Sequence, residues 1–110
     1  MITRYALFEG TVTAGQEQAF RDAILTELLP TWQAFPGVTS VRVTFADARD
    51  DGAPEIPLIL ATDYPDQAAL DVALASPQRT ASRAATRSVL ARFFTGHIHH
   101  HVTTAHEYPL

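Results

Sequence analysis

The chain has 110 residues, enough for one domain and too few for two. Apolar residues make up 46%, which supports a core, and the absence of cysteine excludes a disulfide framework, a zinc–thiolate site and a cysteine nucleophile. A net charge of −4 gives no footprint for nucleic acid. No apolar run is long enough to cross a membrane, and Met1-Ile2-Thr3-Arg4 leads straight into a strand pattern, so a cytoplasmic protein is expected. All eight basic residues are Arg, which removes Schiff-base chemistry, and all five His lie after residue 96.

Residues 2–12 read as a strand, with Ile2, Ala6 and Phe8 on one face and Tyr5 and Leu7 on the other. Thr13 and Gln16 have the spacing of a capping box. A helical stripe follows: Phe20, Ile24, Leu28, Trp32 and Phe35, widened by Leu25 and Leu29. Pro30 lies inside it and should kink the helix or end its first half near Leu29. Pro36-Gly37 stops the segment. Residues 38–46 alternate as a second strand, 47–55 form a polar turn, and 56–63 make a third strand with Pro57 near its start. Tyr64-Pro65-Asp66 opens a short helix with Leu70 and Leu74 on its apolar face. Ser76-Pro77 breaks it and caps a helix over 78–94, which Gly96 ends. Residues 97–107 alternate again as a fourth strand.

The order βαββαβ predicts an α+β, ferredoxin-like fold: one four-stranded antiparallel sheet with helices on one face, in a single domain over 1–110. Strands one and three are apolar on both faces, so the uncovered face needs a partner, and a second copy in a twofold homodimer is the simplest one.

Phe20 through Pro30, followed by Phe35-Pro36-Gly37-Val38, resembles the dimeric α+β barrel superfamily, and within it the EthD-like and stress-responsive barrel proteins. Asp63 through Leu70 and Leu74-Ala75-Ser76-Pro77 carry the same resemblance. It spans roughly residues 2–104 and implies a dimeric barrel with a small-molecule pocket between sheet and helices. Leu28 stands where many EthD-like proteins have a helix His, two residues before the proline. The Trp, Asn and His set of the haem-degrading branch is not evident either, since the chain has no Asn.

His97-Ile98-His99-His100-His101 is the sharpest chemical signal. Period two puts His97, His99 and His101 on one face and Ile98, His100 and Val102 on the other. Such imidazoles can act as acid or base, or converge on a metal ion; solvated or interface-lining histidines give the same pattern. His100, His99 and His101 are therefore the candidate catalytic residues. His100 belongs to the helix-side pocket, near Trp32, where a core His bonded to a backbone carbonyl is the plainer alternative. His99 and His101 belong to the barrel side, near Arg4 or Tyr5. Trp32, Phe35 and Phe45, with Phe93 and Phe94, could wall an aromatic ligand pocket, although their helical and strand core positions make core packing the default reading. Arg79, Arg83 and Arg87 stack along one helix face and either attract an acidic ligand or form a solvated, ion-paired surface. No cofactor and no metal is expected. The sequence thus points to a small homodimeric protein that binds or transforms an apolar or aromatic metabolite in a sheet–helix pocket, with a non-catalytic structural or ligand-binding homodimer as the alternative and a His-ligated metal-binding protein as a less favoured one.

Overall fold

The computed structural model describes all 110 residues. The elements run β1 (Ile2–Val12), α1 (Glu17–Ala23), a π-helical turn (Ile24–Leu28), α2 (Leu29–Gln33), β2 (Ser40–Phe45), β3 (Leu58–Tyr64), α3 (Gln67–Leu74), α4 (Pro77–Phe93) and β4 (Phe94–Thr104). All strand pairs are antiparallel, in the order β2-β3-β1-β4, and the helices cover one face: the ferredoxin-like α+β fold. No helix is long and apolar enough to cross a membrane.

The core forms where the helical stripe meets the inward set of the sheet. Phe20, Ile24, Leu28 and Trp32 are all nearly inaccessible, as are Phe8 and Leu58, paired across β1 and β3. Phe20 stacks on Phe94 with centroids 6.3 Å apart, which ties the start of α1 to the start of β4. Burying a side chain of this size stabilises the fold by roughly 1.5–3 kcal/mol.

Pro30 does not simply break the helix. The chain widens into the π turn beforehand, with the Leu29 N–H donating to the Ile24 carbonyl, and Pro30 then falls in the first turn of α2. There a missing N–H costs nothing, because that donor has no partner within the helix.

Several expected boundaries shift for identifiable reasons. The capping box does not form: the Thr13 hydroxyl and N–H both donate to the Phe93 carbonyl at the end of α4, and Gln16 makes no side-chain cap. Pro65 stays outside α3, whose cap is Asp66, accepting from the Ala69 N–H at 2.9 Å. Ser76 caps α4, with Pro77 in the first turn. Ile56 and Pro57 precede β3, and the Pro57 carbonyl accepts from the Ala46 N–H.

Gly96 does not end α4; it lies inside β4, directly opposite Gly10. A Cβ on Gly96 would sit 2.2 Å from the Glu9 carbonyl oxygen, and one on Gly10 would sit 2.2 Å from that of Thr95. Only a glycine pair allows the two backbones to approach so closely.

The face without helices carries Thr3, Tyr5, Leu7 and Glu9 from β1 and Ile59, Ala61 and Asp63 from β3. Tyr5, Leu7 and Ile59 are half-buried in the single chain. Asp63 is buried and accepts a 2.5 Å hydrogen bond from the Thr3 hydroxyl, its cross-strand partner.

Candidate functional site

A cavity of about 440 Å³ opens between the sheet and the helices α2 and α4. Its floor is apolar: Phe8, Leu60, Trp32 and Phe35, none more than 7% exposed. Its wall is cationic: Arg4 from β1 and Arg79, Arg83 and Arg87 from α4. The four-residue spacing on α4 aims all three side chains toward the same mouth. No carboxylate lines the cavity, and none of these four arginines forms an ion pair. Arg79 instead donates to the Leu74 carbonyl at 3.2 Å.

His100 stands at the rim of this cavity, exposed in the single chain, in register with Ala6 and diagonal to Arg4. Its pKa is pushed down from 6.5 to about 4, first by desolvation and then by repulsion from Arg4, Arg79, His99 and Arg83. His100 is therefore neutral at physiological pH, with a ring nitrogen able to accept a hydrogen bond. Burial, and then Arg79, also disfavour the charged form of Arg4, which remains a cation at any ordinary pH.

Trp32, Phe35, Arg4 and His100 thus share one cavity. Phe45 does not belong to it: it lies opposite Leu58 on β2, under the Arg21 guanidinium, which is 5.0 Å from its ring centre. Tyr5 is on the other side of the sheet, opposite His101. Arg4, expected beside His99 and His101, faces the helices instead, because β1 alternation groups it with Ala6 and Phe8. Arg79, Arg83 and Arg87 are not an ion-paired surface; on α4 only Arg92, away from the cavity, pairs, with Glu27. The sequence does carry a signal for this, since no acidic residue occurs between Asp71 and Glu107. Thr62 and Ser82, buried at the cavity wall, have no such signal.

On the opposite face, His97, His99 and His101 form a stripe with ring centres 5.6 and 5.7 Å apart. Glu9 faces it: its carboxylate oxygens lie 3.3 Å from His97 Nε2 and 3.9 Å from His99 Nε2. His99 Nε2 is shielded from solvent and makes no hydrogen bond.

A second hollow, about 540 Å³, lies between the start of α1 and the loop 46–57. It is larger, but most of its charges are already paired, Arg21 with Asp47 and Arg49 with Glu55. Glu17 is the one charged group lining it without an ion-pair partner.

No family model and no curated protein matches the chain. Solved structures do. An ethyl tert-butyl ether D (EthD) family protein from Bacillus halodurans superposes with a TM-score of 0.74 at 20% identity, covering 96% of this chain and 99% of that one. A DABB family protein with a ferredoxin-like fold from Mesorhizobium loti gives 0.68 at 14% identity, covering 96% and 97%. SnoaB, a cofactor-independent oxygenase from Streptomyces nogalater, gives 0.62 at 19% identity, covering 97% and 94%. The chain therefore shares the ferredoxin-like α+β fold of EthD-like and DABB proteins over nearly its whole length.

Proposed function

We propose that the protein is a homodimer that binds, and by proton transfer transforms, a small aromatic or apolar metabolite bearing an anionic group in the cavity between sheet and helices. The observation that carries this reading is the pairing of four unneutralised guanidiniums with an aromatic floor. Cations crowded at an apolar hollow without counter-charge are unfavourable, and an incoming anion relieves that repulsion. A planar guanidinium matches a carboxylate with two parallel hydrogen bonds and donates singly to an enolate oxygen. Trp32, Phe8 and Phe35 take the ring or chain, as in most small-molecule pockets.

The chemistry follows from the same residues. With the ligand's anionic group bound and offsetting the arginines' repulsion of the imidazolium, His100 takes a proton from a hydroxyl or an activated carbon of the ligand. The electron pair left behind is an enolate or phenolate, which the arginines stabilise. This step uses only side chains of the chain itself. The likeness in fold to a cofactor-independent oxygenase supports it. The dimer forms through the open sheet face, where Tyr5, Leu7, Ile59 and Ala61 make an apolar centre with polar strands on both sides.

Trp32 is the chain's single tryptophan, so its fluorescence reports on the cavity directly. Titration with hydroxynaphthoic acid should quench it, and the corresponding amide should bind about tenfold more weakly or worse, the worth of one charge-assisted contact. Arg83→Gln should weaken the acid and not the amide. Equal binding of acid and amide would overturn the reading. His100→Ala should retain binding; if the wild type turns the ligand over, that variant should lose about a hundredfold or more in rate. Binding without turnover in the wild type would leave a ligand-binding dimer.

A further inference from the structure

The geometry points to a second site, for a divalent transition-metal ion, on the open face of the sheet, held by Glu9, His97 and His99. The three residues come together through pairing alone: Glu9 is the cross-strand partner of His97, and His99 follows two residues later on the same face. One donor atom from each lies within 4.8 Å of the other two.

Donors on one zinc-like ion, at bonds of about 2.0–2.2 Å, sit roughly 3–3.5 Å apart. The 3.3 Å separation of His97 Nε2 and Glu9 Oε2 already matches, and the 3.9 Å separation of His99 Nε2 and Glu9 Oε1 needs only a small side-chain rotation. In the single chain all three side chains are at least one-third exposed, which leaves room for that rotation. The backbone beneath them is fixed, because the neighbouring rung is the tight Gly10–Gly96 crossing.

A further observation bears on a ligand. His99 Nε2 is shielded from water yet has no hydrogen-bond partner, and a polar atom in that state is unfavourable until something binds it. A metal ion uses that lone pair.

Two imidazoles and one carboxylate suit zinc, nickel, copper or iron, and leave coordination positions for water or another ligand. Calcium and magnesium are disfavoured, since both require oxygen donors. His101 continues the stripe on the side away from Glu9, so it stays outside the set. The site lies across the sheet from the cationic cavity and stands or falls independently of it.

The test is a titration of the chelator-stripped full chain with Zn²⁺ and with Ni²⁺, in competition with a chromophoric chelator. One equivalent should bind per chain at micromolar affinity or tighter. Glu9→Gln, which keeps the side chain's shape, should weaken binding about tenfold or more, and His97→Ala or His99→Ala about a hundredfold, while His101→Ala should change it less than about threefold. Circular dichroism confirms that each variant is folded, and where Glu9→Gln is not, Glu9→Ala takes its place. Three results would overturn the proposal: no binding below about 100 μM; a Glu9 variant as tight as the wild type, which marks loose chelation by the histidine run; or a urea-unfolded chain that binds as well as the folded one.

Discussion

Replacing Gly96 with alanine tests the tight backbone crossing of β1 and β4 at Gly10 and Gly96. The new Cβ would start 2.2 Å from the Glu9 carbonyl oxygen and 2.7 Å from the Gly10 Cα, and carbons of this kind are essentially never closer than 3.0 Å. Both obstacles are backbone, so neither can rotate away. The strands must separate by the difference between 2.2 and 3.0 Å or more, in the middle of a pairing that otherwise runs unbroken from Ile2–Thr104 to Val12–Phe94. Overpacking of this kind costs about 1–3 kcal/mol, and a strained ladder hydrogen bond adds about 1. A loss near 3 kcal/mol lowers the melting temperature of a domain this size by roughly 10–20 °C. Gly52→Ala is the control. Gly52 has φ of 80° but open space around its Cβ position, so only the left-handed backbone opposes the change, at about 1–2 kcal/mol. Thermal unfolding by circular dichroism should show Gly96→Ala as clearly the worse of the two. If Gly96→Ala melts within about 3 °C of the wild type, or above Gly52→Ala, the steric argument is wrong.

Leu7→Asp places a charge at the apolar centre of the open face. Burying it unpaired in a dimer costs about 3–5 kcal/mol, so sedimentation velocity at micromolar concentration should show monomer where the wild type shows dimer; a monomeric wild type refutes the assembly itself. The depressed pKa of His100 has a definite sign. Between 6.5 and about 4 the unfolded chain binds this proton and the folded chain does not, so its contribution is intact above 6.5 and is lost as pH falls through that window. The ring is exposed, and solvent screening reduces the effect to the order of 1 kcal/mol. Urea midpoints at pH 7.5 and 4.5 should therefore differ less in His100→Gln than in the wild type, and an unchanged difference contradicts the assigned environment.

Most of the fold is legible in the sequence because patterning and topology agree. The alternation of Ile2 to Val12 marks β1 to the residue, and the stripe Phe20, Ile24, Leu28, Trp32 marks the first helical layer. What failed was local chemistry overridden by distant partners. Thr13 has a capping partner in Gln16 three residues away, but the Phe93 carbonyl, eighty residues later, takes its hydroxyl. Gly96 has the sequence neighbourhood of a helix terminator, and only the register with Gly10 shows why a side chain is forbidden there. The site was half legible. The two faces of the histidine run follow from strand period alone. Phe45 was misplaced because hydrophobicity gives a side chain's layer but not its position along the sheet. Arg4 follows the same strand period, since alternation groups it with Ala6 and Phe8 on the cavity face and not with His99 and His101. Glu9 carries no signal in the sequence, because its place beside His97 and His99 depends on which residue of β4 stands opposite.

The π turn at Ile24–Leu28 has a consequence for how this chain tolerates insertion and deletion. Phe20 and Trp32 are twelve residues apart, and in an uninterrupted α-helix that spacing would rotate Trp32 by about 120° relative to Phe20. Both are nevertheless buried on the same side. The widened turn absorbs one residue, so Trp32 has the angular phase it would have eleven residues away, where the drift is only about 20°. The helix is, in effect, an ordinary one with a residue added and the surplus stored as a bulge. A chain one residue shorter between Ile24 and Leu28, with Pro30 also replaced, would keep Trp32 on the cavity floor in a continuous helix. Removing one residue here, with Pro30 replaced, should thus leave the shape of the pocket unaltered, whereas a residue lost between α2 and β2 has no bulge to absorb it.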